Sequence, residues 1–301
     1  MKRTTGILCA FSLVLLMTSV SAFSQLTHYT NITAPVIQPM AVNKASATAG
    51  FYCCGLGPGN TAVYSGFLRT GGGQFRAIVP TGASSSFAAG INSKAIVVGG
   101  YCVAPLGCSQ LVGQHGYQFQ GFSFPGTFRT IDYPGAVSTV AGGINSTNQV
   151  VGTYCDQTLT CLAIGGDHGF LDDNGTFSAI DFPGATKTGA NAINDSGQIV
   201  GVYSAQSHFR GYLLSGGVYT TINPSGATYS NAEGINNLRE IVGTYLDASN
   251  QQHGFMYNAG VYTTIDRPGA SSTSADGVND AGTVVGMSVI SGVSVGYSAK
   301  P

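Results

Sequence analysis

Charge is what this chain has least of. Only 12 Lys and Arg and 13 Asp and Glu occur in 301 residues, for a net charge of −1. No basic patch is available to neutralise phosphates, so nucleic acid is not an expected partner. Runs of helix formers are missing as well, which argues against a helical protein. After Met17 no stretch is apolar and long enough to span a bilayer. There is no Cys/His spacing of the zinc-site kind, and one His per repeat cannot converge on one ion, so no metal or cofactor is expected. No Gly-rich phosphate loop opens a helix, no Gly-x-Ser-x-Gly elbow is read along the chain, and no Ser/His/Asp set has supporting context.

The first residues read as a leader. Lys2 and Arg3 precede an apolar stretch from Ile7 to Met17, and Val20-Ser21-Ala22 is a small-residue cleavage site. Cys9 lies inside the apolar stretch and not at its end, which argues against a lipid anchor. The reading is a signal peptide over 1–22 and a single exported, soluble, monomeric domain over 23–301.

What is abundant is Gly, Ser, Thr, Asn and β-branched residues, the composition of strands and tight turns. One unit recurs: Gly-Ile-Asn or a close variant, a turn, then an apolar strand ending Gly-x-Tyr. Its Asn stands at Asn43, Asn92, Asn145, Asn194, Asn236 and Asn279. Periods of this length with several short strands signal propeller blades. In the fourth repeat the reading places strand a at 191–194, b at 198–203, c at 209–214 and d at 218–222. Pro ends strand d at Pro134, Pro183, Pro224 and Pro268, since it cannot donate to a ladder. Strand b is apolar on both faces and must be covered on both sides. Its Gly152, Gly201, Gly243 and Gly286 are expected where another backbone comes close. The sixth repeat stops one strand short, while Tyr29–Pro35 resembles Tyr262–Pro268. The predicted fold is an all-β, six-bladed propeller of four-stranded blades, closed by an N-terminal strand that completes the last blade.

Six cysteines follow the leader. Cys102 and Cys155 occupy equivalent places, each with a partner six residues on. Bridges Cys102–Cys108 and Cys155–Cys161 are expected, each stabilising by about 2 kcal/mol in the chain-entropy view. Cys53 and Cys54 are left open between a vicinal bridge, free thiols and a bond to another chain.

The units His168-Gly169-Phe170-Leu171, Thr264-Ile265-Asp266, and Gly234-Ile235-Asn236 through Ile241-Val242-Gly243-Thr244-Tyr245 resemble the bacterial extracellular repeats called the HAF family. The resemblance covers nearly all of the chain after the leader. It implies a secreted, propeller-like protein and implies no particular activity. The first repeat departs most: Ser65-Gly66-Phe67 lacks the His and Ile78-Val79-Pro80 lacks the Asp.

Three sets of residues are candidates for chemistry. Counting out from the Asn174-Gly175 turn puts His168 opposite Asp181, and the same count puts His253 opposite Asp266 and Arg210 opposite Asn223. These read as structural cross-strand pairs. The residue before each Gly-Ile-Asn is Met40, Ala89, Gly142, Asn191, Glu233 and Asp276. The last three make a polar arc beside the central channel, able to bind a cation or a sugar or to do acid–base work; the plainer reading is that the two acids are solvated in a water-filled channel. Tyr101, Tyr154, Tyr203 and Tyr245 end strand b and offer stacking surfaces near the b–c loops. The expected function is non-enzymatic binding of a glycan, a surface polymer or a protein. The alternative is a glycan hydrolase or lyase using Glu233 and Asp276 as catalytic residues at the channel mouth.

Overall fold

The protein is described by a computed structural model over residues 28–32, 37–56, 62–103, 113–121, 126–156 and 168–300, the side chains of 54–56 and 62 excepted. Residues 1–22, Cys108 and Cys161 lie outside the described residues, and so do the side chain of Cys54 and the closing parts of several b–c loops. Among the described residues no helix is long and apolar enough to cross a membrane.

The chain forms a six-bladed β-propeller. Blade one uses strands Ile37–Val42, Thr48–Leu56, Ala62–Arg69 and Phe75–Ile78. Blade two uses Ala83–Ile91, Val97–Val103, Gln114–Gln120 and Thr127–Ile131. Blade three uses Ser138–Ile144, Val150–Cys155, His168–Asp173 and Thr176–Ile180. Blade four uses Lys187–Ile193, Ile199–Ala205, His208–Ser215 and Val218–Ile222. Blade five uses Tyr229–Ile235, Ile241–Leu246, Gln252–Asn258 and Val261–Ile265. In blade six strand a is split into Ser272–Thr273 and Gly277–Val278, followed by Val284–Ile290 and Val293–Lys300. His28–Asn31 pairs antiparallel with that last strand, Asn31 facing Tyr297.

Each blade drives the same two side chains into the gap beside its neighbour. The strand-c aromatic is Phe67, Tyr117, Phe170, Tyr212, Phe255 or Tyr297, and all six are at most 1% exposed. The strand-d aliphatic is Ile78, Ile131, Ile180, Ile222 and Ile265, with Ile32 in the corresponding place of blade six; all are buried. Burying each such side chain contributes about 2 kcal/mol. The apolar alternation seen in the sequence is the trace of this packing.

Strand a is longer than its sequence suggests, beginning at Lys187 in blade four rather than Asn191. Its first half is built of Thr188, Gly189 and Ala190, small residues without a hydrophobic stripe, because it is packed close against other backbones. Each of the first five a–b ladders slips by one residue, at Pro39/Ala41, Ala88/Gly90, Ala141/Gly143, Ala190/Ala192 and Ala232/Gly234. This bulge explains the strand-b glycine. A Cβ on Gly201 would lie 1.9 Å from the Gly189 carbonyl oxygen, and one on Gly152 would lie 2.0 Å from that of Val140. The approaching backbone belongs to strand a of the same blade.

A ring of asparagines joins the blades. Asn43 Nδ2 donates to the Asn92 carbonyl at 3.0 Å, Asn92 to Asn145 at 3.0 Å, and Asn145 to Asn194 at 3.3 Å. Asn194 donates to Asn236 at 3.1 Å, Asn236 to Asn279 at 3.0 Å, and Asn279 back to Asn43 at 3.0 Å. Every one of these Oδ1 atoms also accepts two backbone N–H groups of its own a–b turn, such as Ser196 at 3.1 Å and Gln198 at 3.0 Å for Asn194. The fourth turn residue adopts positive φ: Gly197 in blade four, but Ala95 in blade two. Gly201→Ala is expected to destabilise by about 3 kcal/mol, since neither backbone can retreat. Ala95→Gly is expected to stabilise by about 1 kcal/mol by relieving the left-handed strain. Chemical denaturation of the two variants checks both signs.

Candidate functional site

The bulge decides what the channel sees. An extra residue in a strand is left out of the ladder and its side chain is re-aimed. The residues at this place in the six repeats are Met40, Ala89, Gly142, Asn191, Glu233 and Asp276, and all six line one narrow stretch of the axis. Its cavity holds about 70 Å³. Two residues further along each strand stands an aliphatic: Val42, Ile91, Ile144, Ile193, Ile235 or Val278. These six are 6–8% exposed and border both the inner stretch and a wider cavity beyond it. They form a collar that divides the axis in two.

The wider cavity, about 270 Å³, opens at the a–b turns. Its floor is the aliphatic collar. Its wall is Lys44, Ser93, Ser146, Asp195, Asn237 and Asp280, one from each blade. The wall is tied together blade to blade. Asp195 Oδ1 accepts the Ser146 N–H at 2.8 Å, Asn237 Oδ1 accepts that of Asp195 at 2.9 Å, and Asp280 Oδ1 accepts that of Asn237 at 2.9 Å. The Asn237 amide also donates to Asp195 Oδ2 and Asp280 Oδ2, each at 3.1 Å. The sequence reading weighed the residue before the motif and missed this cup. The signal was one place after the ring Asn, where Lys44, Asp195 and Asp280 break a run of Ser and Asn.

The inner stretch holds the polar arc. Asn191 Nδ2 donates to Asn231 Oδ1 at 2.8 Å and to the Ala232 carbonyl at 2.9 Å. Asn231 Nδ2 donates to Glu233 Oε1 at 2.5 Å. Glu233 is only partly covered, yet it lies deep in the narrow axis. Burial there pushes its carboxyl up to about 8; the Asp276 charge adds to the rise and the Asn231 amide opposes it. Asp276 is buried, which pushes it up to about 7 against hydrogen bonding from Ser274 and Gln38. Its Oδ2 has no hydrogen-bond partner among the described residues. Both acids therefore line the axis on the side of the collar away from the cup, Asp276 buried and Glu233 partly covered.

The other predicted residues take structural places. His168 Nδ1 is 2.8 Å from Asp181 Oδ1, and His253 Nδ1 is 2.9 Å from Asp266 Oδ2. A third such pair, His115 with Asp132 at 2.9 Å, belongs to blade two. His253 Nε2 also lies 3.6 Å from Asp247, and the two carboxylates, Asp266 first, raise its pKa. Arg210 stands opposite Asn223 but donates elsewhere, to the Thr228 carbonyl at 2.7 Å. The tyrosines are engaged within the blades. Tyr154 stacks on Tyr133 at 3.7 Å between centroids and is 9% exposed. Tyr203 stacks on Phe182 at 3.6 Å, and Tyr245 lies over His253 at 5.0 Å. Tyr101 packs against His115. Ring faces covered in this way are poor stacking platforms for a sugar. Gly292-Val293-Ser294-Val295-Gly296 has the letters of a nucleophile elbow, which the sequence reading passed over. In the structure these residues enter the last strand from a tight turn, with no helix behind the Ser.

No family model matches the chain, and no curated protein matches it in sequence. Solved structures do match in shape. Virginiamycin B lyase from Staphylococcus aureus aligns with a TM-score of 0.50 at 10% identity, covering 91% of this chain and 99% of that one. The Trypanosoma rangeli sialidase aligns at 0.49 and 8% identity, over 94% of this chain and 60% of that one. The Dos1 propeller aligns at 0.47 and 10% identity, over 91% and 95%. At such identities the likeness is one of fold.

Glu233 carries the clearest pH signature. Its folded pKa lies above the unfolded value, so the folded state holds its proton more firmly. Stability from this group is fully present below the unfolded value near 4 and is lost as pH rises toward about 8. Glu233→Gln is expected to flatten the fall in Tm between those limits, as read by thermal melts across pH.

Proposed function

We propose that the chain is an exported, non-enzymatic propeller that binds a polar group of a glycan, surface polymer or protein in the axial cup at the a–b turns. The cup itself carries the reading. It joins an apolar floor to a wall of amide, hydroxyl, carboxylate and ammonium groups, within about 270 Å³. That volume lies near the lower end of small-molecule sites, which run from about 300 Å³ upward. Most of the wall is held by inter-blade hydrogen bonds before any ligand arrives, which lowers the ordering cost of binding. The leader over 1–22 and the resemblance to HAF repeats support export. The expected bridges Cys102–Cys108 and Cys155–Cys161 are of the kind that exported chains carry. The protein acts as a monomer in this reading.

The hydrolase or lyase alternative is served less well by the geometry. Glu233 and Asp276 face about 70 Å³, far below the volume of a small-molecule site. A glycan array probed with the purified chain, followed by calorimetry on the best ligand, tests the choice. Saturable binding without turnover, weakened about tenfold or more by Asp280→Ala or Lys44→Ala, is the expected result. Turnover of a polysaccharide that disappears in Glu233→Gln would overturn it.

A further inference from the structure

We propose that the inner stretch of the axis binds a hard divalent cation, with Ca²⁺ the best fit, between Glu233 and Asp276. Three observations carry this. First, Asp276 is 6% exposed and its Oδ2 has no partner among the described residues, although it lines the cavity. A buried carboxylate oxygen without a donor is costly unless something positive comes to it. Second, the neighbouring blade contributes another carboxylate to the same cavity. The two backbones touch there: a Cβ on Gly234 would lie 3.0 Å from Gly277 Cα and 3.2 Å from the Asp276 carbonyl oxygen. Third, no Lys or Arg lines the cavity. The titratable neighbours are Tyr229 beside Glu233 and Tyr297 beside Asp276. Both phenols are raised above their ordinary range by burial, so they stay neutral and compensate nothing. Arg267 and Asp266 act on Tyr297 from outside the cavity, with opposite signs.

The donor chemistry selects the ion. The acidic donors are all oxygen, which suits Ca²⁺ or Mg²⁺ over softer metals. No group of three or more His, Cys, Asp and Glu able to hold a metal exists among the described residues. The ion is therefore held by two carboxylates and keeps much of its water. The cavity has room: about 70 Å³ against about 10–15 Å³ for each ordered water. Few charged ligands and a partly hydrated ion place the affinity near that of extracellular modules, about 10⁻⁴–10⁻³ M. Amides orient one side of the site, since Asn231 holds Glu233 and Asn191 holds Asn231.

The test is a thermal melt of the chelator-treated full chain, with and without about 5 mM CaCl₂, well above the expected dissociation constant. Wild type is compared with the double variant Glu233→Gln, Asp276→Asn at a pH above 8, and wild type should gain several degrees. The double variant should gain nothing, and its chelated Tm should equal or exceed that of wild type, because the buried, unpaired Asp276 carboxylate is gone. A wild-type Tm indifferent to calcium would overturn the proposal. So would a gain that survives in the double variant, which would move the ion to the cup carboxylates Asp195 and Asp280. An indifferent Tm leaves ligand binding in the cup untouched.

Discussion

One side chain per blade sets the geometry of the wheel. Each ring Asn uses its oxygen to hold its own a–b turn and its amide nitrogen to hold the next blade's carbonyl. All six are 5% exposed or less, so these bonds are made away from water, where a missing partner costs most. Because the amide donor and acceptor are fixed to one another, the tightness of the turn and the spacing between blades are set together. A blade cannot shift without disturbing the turn of its neighbour. Packing of the strand-c aromatics then fills the wedge that this spacing leaves.

The same economy shapes the axis. The bulge three residues before the ring Asn frees one side chain in each of the first five blades and aims it inward, and Asp276 takes the same place in the split strand of the sixth. The collar residue, the bulge residue and the residue after the Asn form three stacked layers, each drawn once from every repeat. The collar layer is nearly uniform, Ile or Val throughout. The other two layers break the symmetry, and they break it in the same blades. Asn191, Glu233 and Asp276 lie on the side where Asp195, Asn237 and Asp280 stand above them. One half of the axis is thus acidic in both compartments and the other half is not. In a molecule with so little charge, this polarity marks the axis as its chemically distinct surface.

Much of this was legible in the sequence, for identifiable reasons. Blade number followed from spacing, because every blade repeats Gly-Ile-Asn or a close variant of it. The His168–Asp181 and His253–Asp266 pairs followed from counting out from a two-residue turn, where register leaves no freedom. The inward aim of Glu233 and Asp276 was visible because strand a is innermost. The burial of Asp276 was not, since it depends on the width of the channel, which six blades set jointly. The start of strand a was also hidden. Residues such as Lys187-Thr188-Gly189 carry no apolar stripe, and only the close backbone of a neighbour makes them a strand. The Asn ring escaped notice because a conserved-looking Asn in a turn already has a local explanation; its second bond reaches a residue about 40–50 positions away, beyond local pattern reading. The partners of the strand-end tyrosines were hidden too, because Tyr133 and Phe182 stack on Tyr154 and Tyr203 from the preceding d–a links.

The account stands or falls on closure through side-chain amides. The contact between Asn279 and Asn43 joins the last blade to the first, whereas that between Asn236 and Asn279 joins consecutive blades. Denaturant unfolding of Asn279→Ala and Asn236→Ala, side by side with wild type, measures whether the two joints are alike. A closed ring predicts one cooperative transition in all three proteins, a loss of about 3 kcal/mol for the three hydrogen bonds of Asn279 and about 1 kcal/mol more for Asn236, whose amide also donates to Glu240 Oε2. An Asn279→Ala variant that loses nothing, or a wild type that unfolds blade by blade like an open array, would contradict it.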